Sequence, residues 1–504
     1  MEEFSFYTLC DPEYFETLSR FPATSGYAEL LKSLLPPDWS VNRFDIFLQA
    51  GSERTILKPQ GFKIHLSAPV AEAATLLQRV APLCARAEVM FKIIAAPMLL
   101  RFLNSKRYSR NGSGKFITLY PKDEPTFLAL IEQLYQATRD LTGPYILSDK
   151  RYRDSKVVFY RYGGFQRMYD LRVDGMRNLM VRKPDGTYVQ DDRLPYFQLP
   201  DWVKDPLPDP EPEGDDDSGL LHGRYEVREA LAFTNTGGVY KAVDRTTGAT
   251  VVIKEARPYT EAWMGAELSV DATVALRHEH DILQRLDGLP FVPRALDMFQ
   301  EWEHTFLVIS HVGGTPLATL RANDDFIVMT DMDDPERVLR FCVTWRTLAL
   351  QLLDAVDAIH ARGILVGDIS PGNVLLDRDT GALGLIDFEA ALAQGGTSPF
   401  SAQWFNPGFR NPSRRQAHAL ESSDDFYACG MLLYNLVCPI QNLFELDKAQ
   451  PVFRVLDHFI EGGLPSPIKD IIQSLLEGHP DTARAQARAW DPLGAGAASP
   501  RPLG

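Results

Sequence analysis

Between Asp205 and Ser218, Pro206, Pro208, Pro210 and Pro212 alternate with acids and run into Asp215-Asp216-Asp217. This stretch constrains the fold more than any other. Proline withholds backbone donors and fixes φ, and the flanking acids bring nothing apolar to bury, so no core forms here. It reads as a stiff, solvated linker, with an acidic docking segment as the alternative. The chain of 504 residues is thereby divided into 1–204 and 219–480, each long enough for its own core. Beyond Pro480, Ala, Gly and Pro dominate, and 481–504 reads as a tail without order.

The two halves differ in pattern. Before the linker, short β-rich runs (62–67, 115–120, 156–162) alternate with helical patterns (71–84, 126–141), which predicts an α+β domain. After it, strands come first (225–233, 238–244, 250–255, 305–310) and helices follow. The best helix runs over 344–362, with Leu352, Val356 and Ile359 at helical spacing and Gly363 as its stop. That order predicts a two-lobed domain.

A formal net charge of -15 argues against a nucleic-acid partner, since phosphate-backbone affinity needs clustered cations. The five cysteines are odd in number, widely spaced and without a CxxC pair, which fits reduced core thiols and no zinc site. Met1-Glu2-Glu3-Phe4 lacks the basic start of a secretory signal, and no window approaches a membrane span of ~20 apolar residues. The expected compartment is the cytoplasm, with no membrane partner.

Phosphoryl transfer needs a cation on the nucleotide phosphates, oxygen ligands for Mg²⁺ and a carboxylate that orients the attacking hydroxyl. The second half offers each of these in order. Lys254 ends the strand Val251-Val252-Ile253-Lys254, and Glu279 lies on a following helix, placed to pair with it. In Val366 to Asn373, reading VGDISPGN, Asp368 and Asn373 are five residues apart, as in a kinase catalytic loop. Asp387-Phe388 follows Leu385-Ile386 as the strand-to-loop aspartate. The reading makes Asp368 the catalytic base, Asn373 and Asp387 the Mg²⁺ ligands, and Gly237, Gly238, Lys254, Glu279, Ser310 and Val312 the nucleotide contacts. The departures are specific too. Ala232 and Thr234 stand where the first glycines of a nucleotide loop would be, leaving ATP or GTP open. Gly367 replaces the arginine before the base, so ordering by loop phosphorylation is not expected. Ser370 replaces the catalytic-loop lysine, Glu389 replaces a glycine, and a pseudokinase remains an alternative.

In the first half, alternation in Gly61 to Ser67 puts Lys63, His65 and Ser67 on one strand face and sends Ile64 and Leu66 to the core. A lysine beside an imidazole suits a departing phosphate; a solvated strand face is the bland alternative. Lys92, in Phe91-Lys92-Ile93-Ile94, is a cation in an apolar strand, either a base with a lowered pKa or a snorkelling edge lysine. Arg110, Tyr120, Arg151, Arg153 and Arg161 add candidate phosphate donors, against the reading of some as ordinary surface charges.

With both halves read, the chain resembles a class III lanthipeptide synthetase of the kinase-cyclase type. The likeness is carried by Gln60-Gly61-Phe62-Lys63-Ile64-His65, by Ser113 to Pro121, by Gly143-Pro144-Tyr145-Ile146-Leu147-Ser148-Asp149, by Lys254-Glu255-Ala256-Arg257-Pro258 and by Gly367 to Asn373. The resemblance implies a phosphothreonine-lyase-like N-terminal domain followed by a bilobal protein-kinase-like domain. It implies phosphorylation of Ser and Thr in a precursor peptide (leader plus core), then β-elimination without metal to dehydroalanine or dehydrobutyrine. Lys92 would take the α-proton, His65 would protonate the leaving phosphate, Lys63 and Arg110 would bind it, and Tyr120 would orient it. Arg151 and Arg161 would assist. Members of that group carry a further helical cyclase domain, for which 481–504 is too short; either the sequence is truncated or a separate cyclase acts as partner. A different class, a regulatory Ser/Thr kinase with an N-terminal phosphopeptide-binding domain, would keep Asp368 and the arginines but need neither His65 nor Lys92.

Overall fold

The computed structural model describes residues 18–494 apart from 22–25, 107, 176, 193, 208–218, 265–268, 323–333, 397–405, 407, 415–416, 418 and 439–450. Most of the linker expected at 205–218 lies outside the described residues, as does Cys10. Chain contacts define two compact units. One comprises 1–240, 255–273 and 300–306, the other 241–254, 274–299 and 307–504.

The first unit is built on a seven-stranded sheet of β1 (Ser40–Phe44), β2 (Phe47–Gly51), β3 (Gln60–Ser67), β4 (Phe91–Ile94), β5 (Lys115–Leu119), β6 (Lys150–Arg151) and β7 (Val158–Gly164). Its order is β1-β2-β4-β5-β3-β7-β6, with neighbouring strands antiparallel. Helices α1 (Ala28–Leu34), α2 (Val70–Arg86), α3 (Pro97–Leu103) and α4 (Glu124–Ala137) accompany it. Leu76, Leu77 and Val80 of α2 and Phe127, Leu130 and Leu134 of α4 share one apolar core with Ile64 and Leu66. Helix α4 starts where Asp123 accepts the Thr126 N–H at 2.9 Å, an N-cap that also fixes its first proline turn. A three-stranded sheet, β8 (Tyr169–Leu171), β9 (Arg177–Arg182) and β10 (Tyr188–Gln190), follows β7. Asp205 and the Leu207 carbonyl then take hydrogen bonds from Lys150 and Tyr160, so the chain is pinned where the expected linker begins.

After the linker, β11 (Tyr225–Thr234), β12 (Gly237–Asp244), β13 (Thr250–Ala256), β16 (Ala295–Glu301) and β17 (His304–Ser310) form a five-stranded sheet, order β11-β12-β13-β17-β16; β14 (Glu261–Met264) and β15 (Ser269–Asp271) pair separately. Helix α5 (Ala272–Arg285) follows β15, and α6 (Leu317–Ala322) precedes the long α7 (Pro335–His360). The latter begins earlier than its apolar spacing suggested, because Asp334 caps the Glu336 and Arg337 N–H groups and Pro335 takes the first position. Gly363 stops it at φ +69. Short strands carry the catalytic loop, and α8 (Ser422–Val437), α9 (Pro451–Glu461), α10 (Pro467–Leu476) and α11 (Pro480–Ala489) complete the unit. Helix α11 corrects the expectation of a tail without order from 481. Ala483 and Ala487, four residues apart, are fully buried, and Arg484 pairs with Asp354 and Asp357 of α7. Small side chains that read as low complexity here make a close helix contact. The four described cysteines, Cys84, Cys342, Cys429 and Cys438, are buried and free. Among the described residues no helix is long and apolar enough to cross a membrane.

Candidate active sites

The catalytic-loop residues of the second unit come together as the sequence predicts. Lys254 Nζ contacts Glu279 Oε1 at 2.6 Å and Oε2 at 2.8 Å, and Asp387 Oδ1 at 2.9 Å. Burial alone would lower the Lys254 pKa, but Asp387 and Glu279, with Glu389 behind them, outweigh it and hold the amine raised and charged. Glu279 Oε1 also accepts the Phe388 N–H at 3.0 Å, which ties the helix carboxylate to the Asp387 loop. Asn373 Nδ2 donates to Asp368 Oδ2 at 3.0 Å and to the Asp368 carbonyl at 3.1 Å. Its amide oxygen is thereby turned away from Asp368, and with the Asp387 carboxylate it offers hard oxygen donors of the kind Mg²⁺ takes. Asn373 and Asp387 fit the ion's needs.

Sequence reasoning missed two residues here. Asn406 donates to Asp368 Oδ1 at 2.8 Å, so amides hold both oxygens of the candidate base. Asp425 accepts the Val366 N–H at 2.8 Å, the Gly367 N–H at 2.9 Å and His360 Nε2 at 2.8 Å. It clamps the backbone just before Asp368. Gly367 has φ +80, and a Cβ there would lie 2.5 Å from the Ala390 carbonyl oxygen. The missing arginine is thus a steric requirement, because backbone occupies the place of a side chain.

The remaining nucleotide candidates are ordinary in their contacts. Gly237 and Gly238 open β12, where a Cβ on Gly237 would meet the Glu255 carbonyl oxygen at 1.8 Å. Ser310 ends β17 with its hydroxyl accepting the Arg294 N–H at 2.9 Å, and Val312 packs over Gly384.

In the first unit the site is a row across a sheet. His65 of β3 lies opposite Thr118 of β5, and Thr118 lies opposite Lys92 of β4. Directly opposed residues share a face, so Lys92, Thr118 and His65 line one side, with Gln49 of β2 and Phe159 of β7 extending the row. Lys63, two residues before His65, shares that side and donates to the Gly164 carbonyl at 2.7 Å. Tyr120 continues β5 past Leu119, the partner of Ile64, which puts it beside Lys63; its ring meets Phe165 edge-on. Lys92 Nζ sits 3.6 Å from the centroid of the Phe47 ring.

The strand face is covered, not solvated. Lys63, His65 and Ser67 are 6%, 5% and 0% exposed. The cover is the 143–149 segment: Gly143 lies against Ser67, and Asp149, fully buried, hydrogen-bonds His65 Nδ1. Ser148 Oγ donates to Asp149 Oδ1 at 2.7 Å, and Lys115 Nζ stands 3.5 Å from the same oxygen. Burial would raise the Asp149 pKa, yet His65, then Lys115, hold it well below the carboxylate range. Burial lowers His65 to about 3 against the pull of Asp149, with Lys115 and Lys63 adding to the fall. With its pKa so lowered the imidazole is neutral at pH 7, donates from Nδ1 to ionised Asp149 and leaves Nε2 without a hydrogen-bond partner among the described residues. Asp149 was legible only as the last residue of a seven-residue motif, with nothing local to reveal its partner.

The arginines divide. Arg151 pairs with Glu303 at 2.9 Å and stacks near Tyr145. Arg161, opposite Lys63 in the register, is taken by Asp191 at 2.6 Å and borders a cavity of about 300 Å³ with Lys183 and Trp202. Arg110 lies over the Phe233 ring at 4.5 Å. Among the described residues the Nε atoms of Arg110 and Arg151 and the hydroxyls of Ser67 and Ser113 are buried donors without a hydrogen-bond partner. Arg153, by contrast, is a surface residue paired with Glu132.

Comparison with known proteins follows the same division. Residues 27–219 match the RamC N-terminal domain, and residues 225–482 match the protein kinase domain. The chain is 36% identical over 454 residues to a probable SapB synthase of Streptomyces coelicolor, covering 88% of this chain and 47% of the relative. It thus spans about half the length of that protein. It is 30% identical to the DNA damage-responsive serine/threonine-protein kinase RqkA of Deinococcus radiodurans, over 44% of this chain and 30% of the relative. Similarity to CBL-interacting protein kinase 22 of Oryza sativa is 28%, over 45% of this chain and 53% of the relative.

Proposed function

This chain belongs to the protein kinase family, with a RamC N-terminal domain ahead of the kinase domain, and on that premise we propose that it dehydrates Ser and Thr of a lanthipeptide precursor in two steps. The single observation that carries the reading is the β4-β5-β3 row, which lines up Lys92, Thr118 and His65 with Asp149 buried behind the imidazole. A domain that merely bound phosphopeptides would need cations, but no oriented imidazole facing a lysine.

In the first step a nucleoside triphosphate gives its γ-phosphoryl group to a substrate hydroxyl. A new O–P bond forms as the bond to the diphosphate breaks, and Asp368 orients the hydroxyl and receives its proton. Asn373 and Asp387 would hold Mg²⁺, and its charge would neutralise the phosphates. In the second step the Lys92 amine takes the α-proton, the C–H electron pair becomes the new double bond, and the Cβ–O bond breaks. The phosphate leaves with a proton from His65. A phosphate group carries about -1.5 to -2 charges, so its arrival beside His65 raises the proton affinity that burial had lowered. Acid competence is thus tied to substrate occupancy, and the empty site holds no proton to misplace.

Mass spectrometry of a Ser-containing precursor peptide, incubated with ATP, Mg²⁺ and the chain, tests this. The expected product is lighter by water, and His65→Ala accumulates the phosphopeptide, because losing the general acid costs ~10² to 10⁴ in rate. Phosphate persisting on the peptide with the unaltered protein overturns the proposal in favour of a kinase with a phosphopeptide-binding domain.

A further inference from the structure

Several residues that follow the linker in sequence hold pieces of the N-terminal site, and all belong to the unit of residues 1–240, 255–273 and 300–306. Arg257 and Asn235 are both 0% exposed. Arg257 Nη1 donates to the Asn235 carbonyl at 2.7 Å, and Nη2 donates to the carbonyl of Tyr145, inside the 143–149 segment that ends in Asp149. Asn235 Nδ2 donates to the Leu103 and Ser105 carbonyls at 2.9 and 3.0 Å, at the root of the loop that carries Arg110. The Asn104 carbonyl accepts the Glu261 N–H at 2.8 Å, and the Glu261 carbonyl accepts the Lys106 N–H at 2.9 Å, a second brace on that root. Phe233 takes the Arg110 guanidinium on its ring, and Glu303 takes Arg151.

A buried guanidinium that spends its donors on carbonyls is costly to desolvate, and it persists where those carbonyls need fixing. Arg257 fixes one on each side of the linker. We propose that Asn235, Arg257 and Glu303 are positioning residues of the elimination site, so that strands following the linker complete the N-terminal centre. The inference rests on the elimination reading above. It makes phosphate removal depend on sequence that kinase logic assigns to nucleotide cover.

The groups that face His65 are Lys63 on its own strand, Lys115 on β5 and Asp149, with Arg161 of β7 acting on Asp149. If Tyr145 loses its tether, Asp149 shifts against this set and the proton affinity of His65 shifts with it. The test uses the full chain and a synthetic phosphoserine peptide without nucleotide, following release of inorganic phosphate. Arg257→Met is expected to lower kcat for elimination by about tenfold to a hundredfold, the range for a small misplacement of reacting groups. It also moves the pH profile by about one unit, whereas a loss of folded protein scales every rate alike. Arg257→Lys, which keeps a cation for one carbonyl, restores part of both. Glu303→Gln, a partly exposed change that leaves the core alone, changes KM for the phosphopeptide about threefold or more with kcat nearly kept. If Arg257→Met fails to fold, Glu303→Gln and Asn235→Ala carry the test. Variants with native melting and unaltered kcat, KM and pH profile overturn the proposal. An unaltered protein that leaves the phosphopeptide intact fails the elimination reading instead.

Discussion

The two candidate sites have opposite electrostatics. Around Lys254 stand Glu279, Asp387 and Glu389, so one cation faces three carboxylates. Around His65 stand Lys63 and Lys115, with Asp149 as the buried carboxylate and the Lys92 amine across the sheet row, so two cations face one anion. A nucleotide arrives with metal ions, and a site for it must leave room for their positive charge. A phosphomonoester about to leave brings no counter-ion, and the protein must supply it. The sign of each site is therefore what the proposed division between phosphorylation and elimination predicts.

The largest expected effect tests that sign directly. A chelator such as EDTA should abolish phosphorylation and leave elimination from a phosphopeptide at its full rate, read by peptide mass in each case. If the chelator stops both reactions, the opposition between the sites is broken. The next effect is smaller. Asp149→Asn keeps the shape but removes the lone carboxylate beside His65, so elimination should fall by about 10² or more, as when an imidazole loses the group fixing its tautomer and charge. Phosphorylation of the precursor should be unchanged. An Asp149→Asn variant that eliminates normally would show that the imidazole needs no anionic partner.

These sites were not equally legible. The kinase residues sit at ends of strands and helices, and Asp368 and Asn373 are near enough in sequence that spacing alone implies their contact. Asp425 leaves no local mark in the sequence, because it accepts backbone N–H groups of a loop some sixty residues earlier. In the first unit, alternation gave the face of Lys63 and His65, but neither spacing nor composition says which strands flank β3. Strand order is a tertiary fact, and so is the pairing of His65 with Asp149, 84 residues away. The arginines show the same limit: type and neighbourhood suggest phosphate donors, while the pairing of Arg161 with Asp191 and of Arg151 with Glu303 is visible only in the fold. The tail was misjudged for a different reason, since Ala-rich sequence is as good for close helix packing as for disorder.

The comparison sharpens further at Gly367. Its Asp425 clamp and its positive φ leave no room for a side chain, so Gly367→Ala forces strain of about 1 to 3 kcal/mol next to Asp368. Phosphorylation should drop roughly tenfold or more, by that energy. Elimination from a phosphopeptide should hold its rate. Equal loss of both activities would mean that the catalytic loop and the sheet row do not fail independently.

The smallest effect concerns acid stability and separates the buried imidazole from the charged kinase cluster. The His65 pKa falls from its ordinary 6.5 to about 3 on folding, so the unfolded chain binds the extra proton across that window. Stability from keeping His65 neutral is fully present above about pH 6.5 and is lost as the pH falls toward 3. The slope is at most about 1.4 kcal/mol per pH unit for one proton. Asp149, held below its ordinary 3.8, contributes in the same direction lower down, its stabilisation being lost as acid protonates it. Urea unfolding between pH 7 and 4, followed by tryptophan fluorescence, should show this decline in the unaltered chain and a shallower one in His65→Gln, which has no proton to take up. Parallel declines in the two proteins would mean that His65 is already protonated in the fold, and the imidazole would count as one more cation of the site.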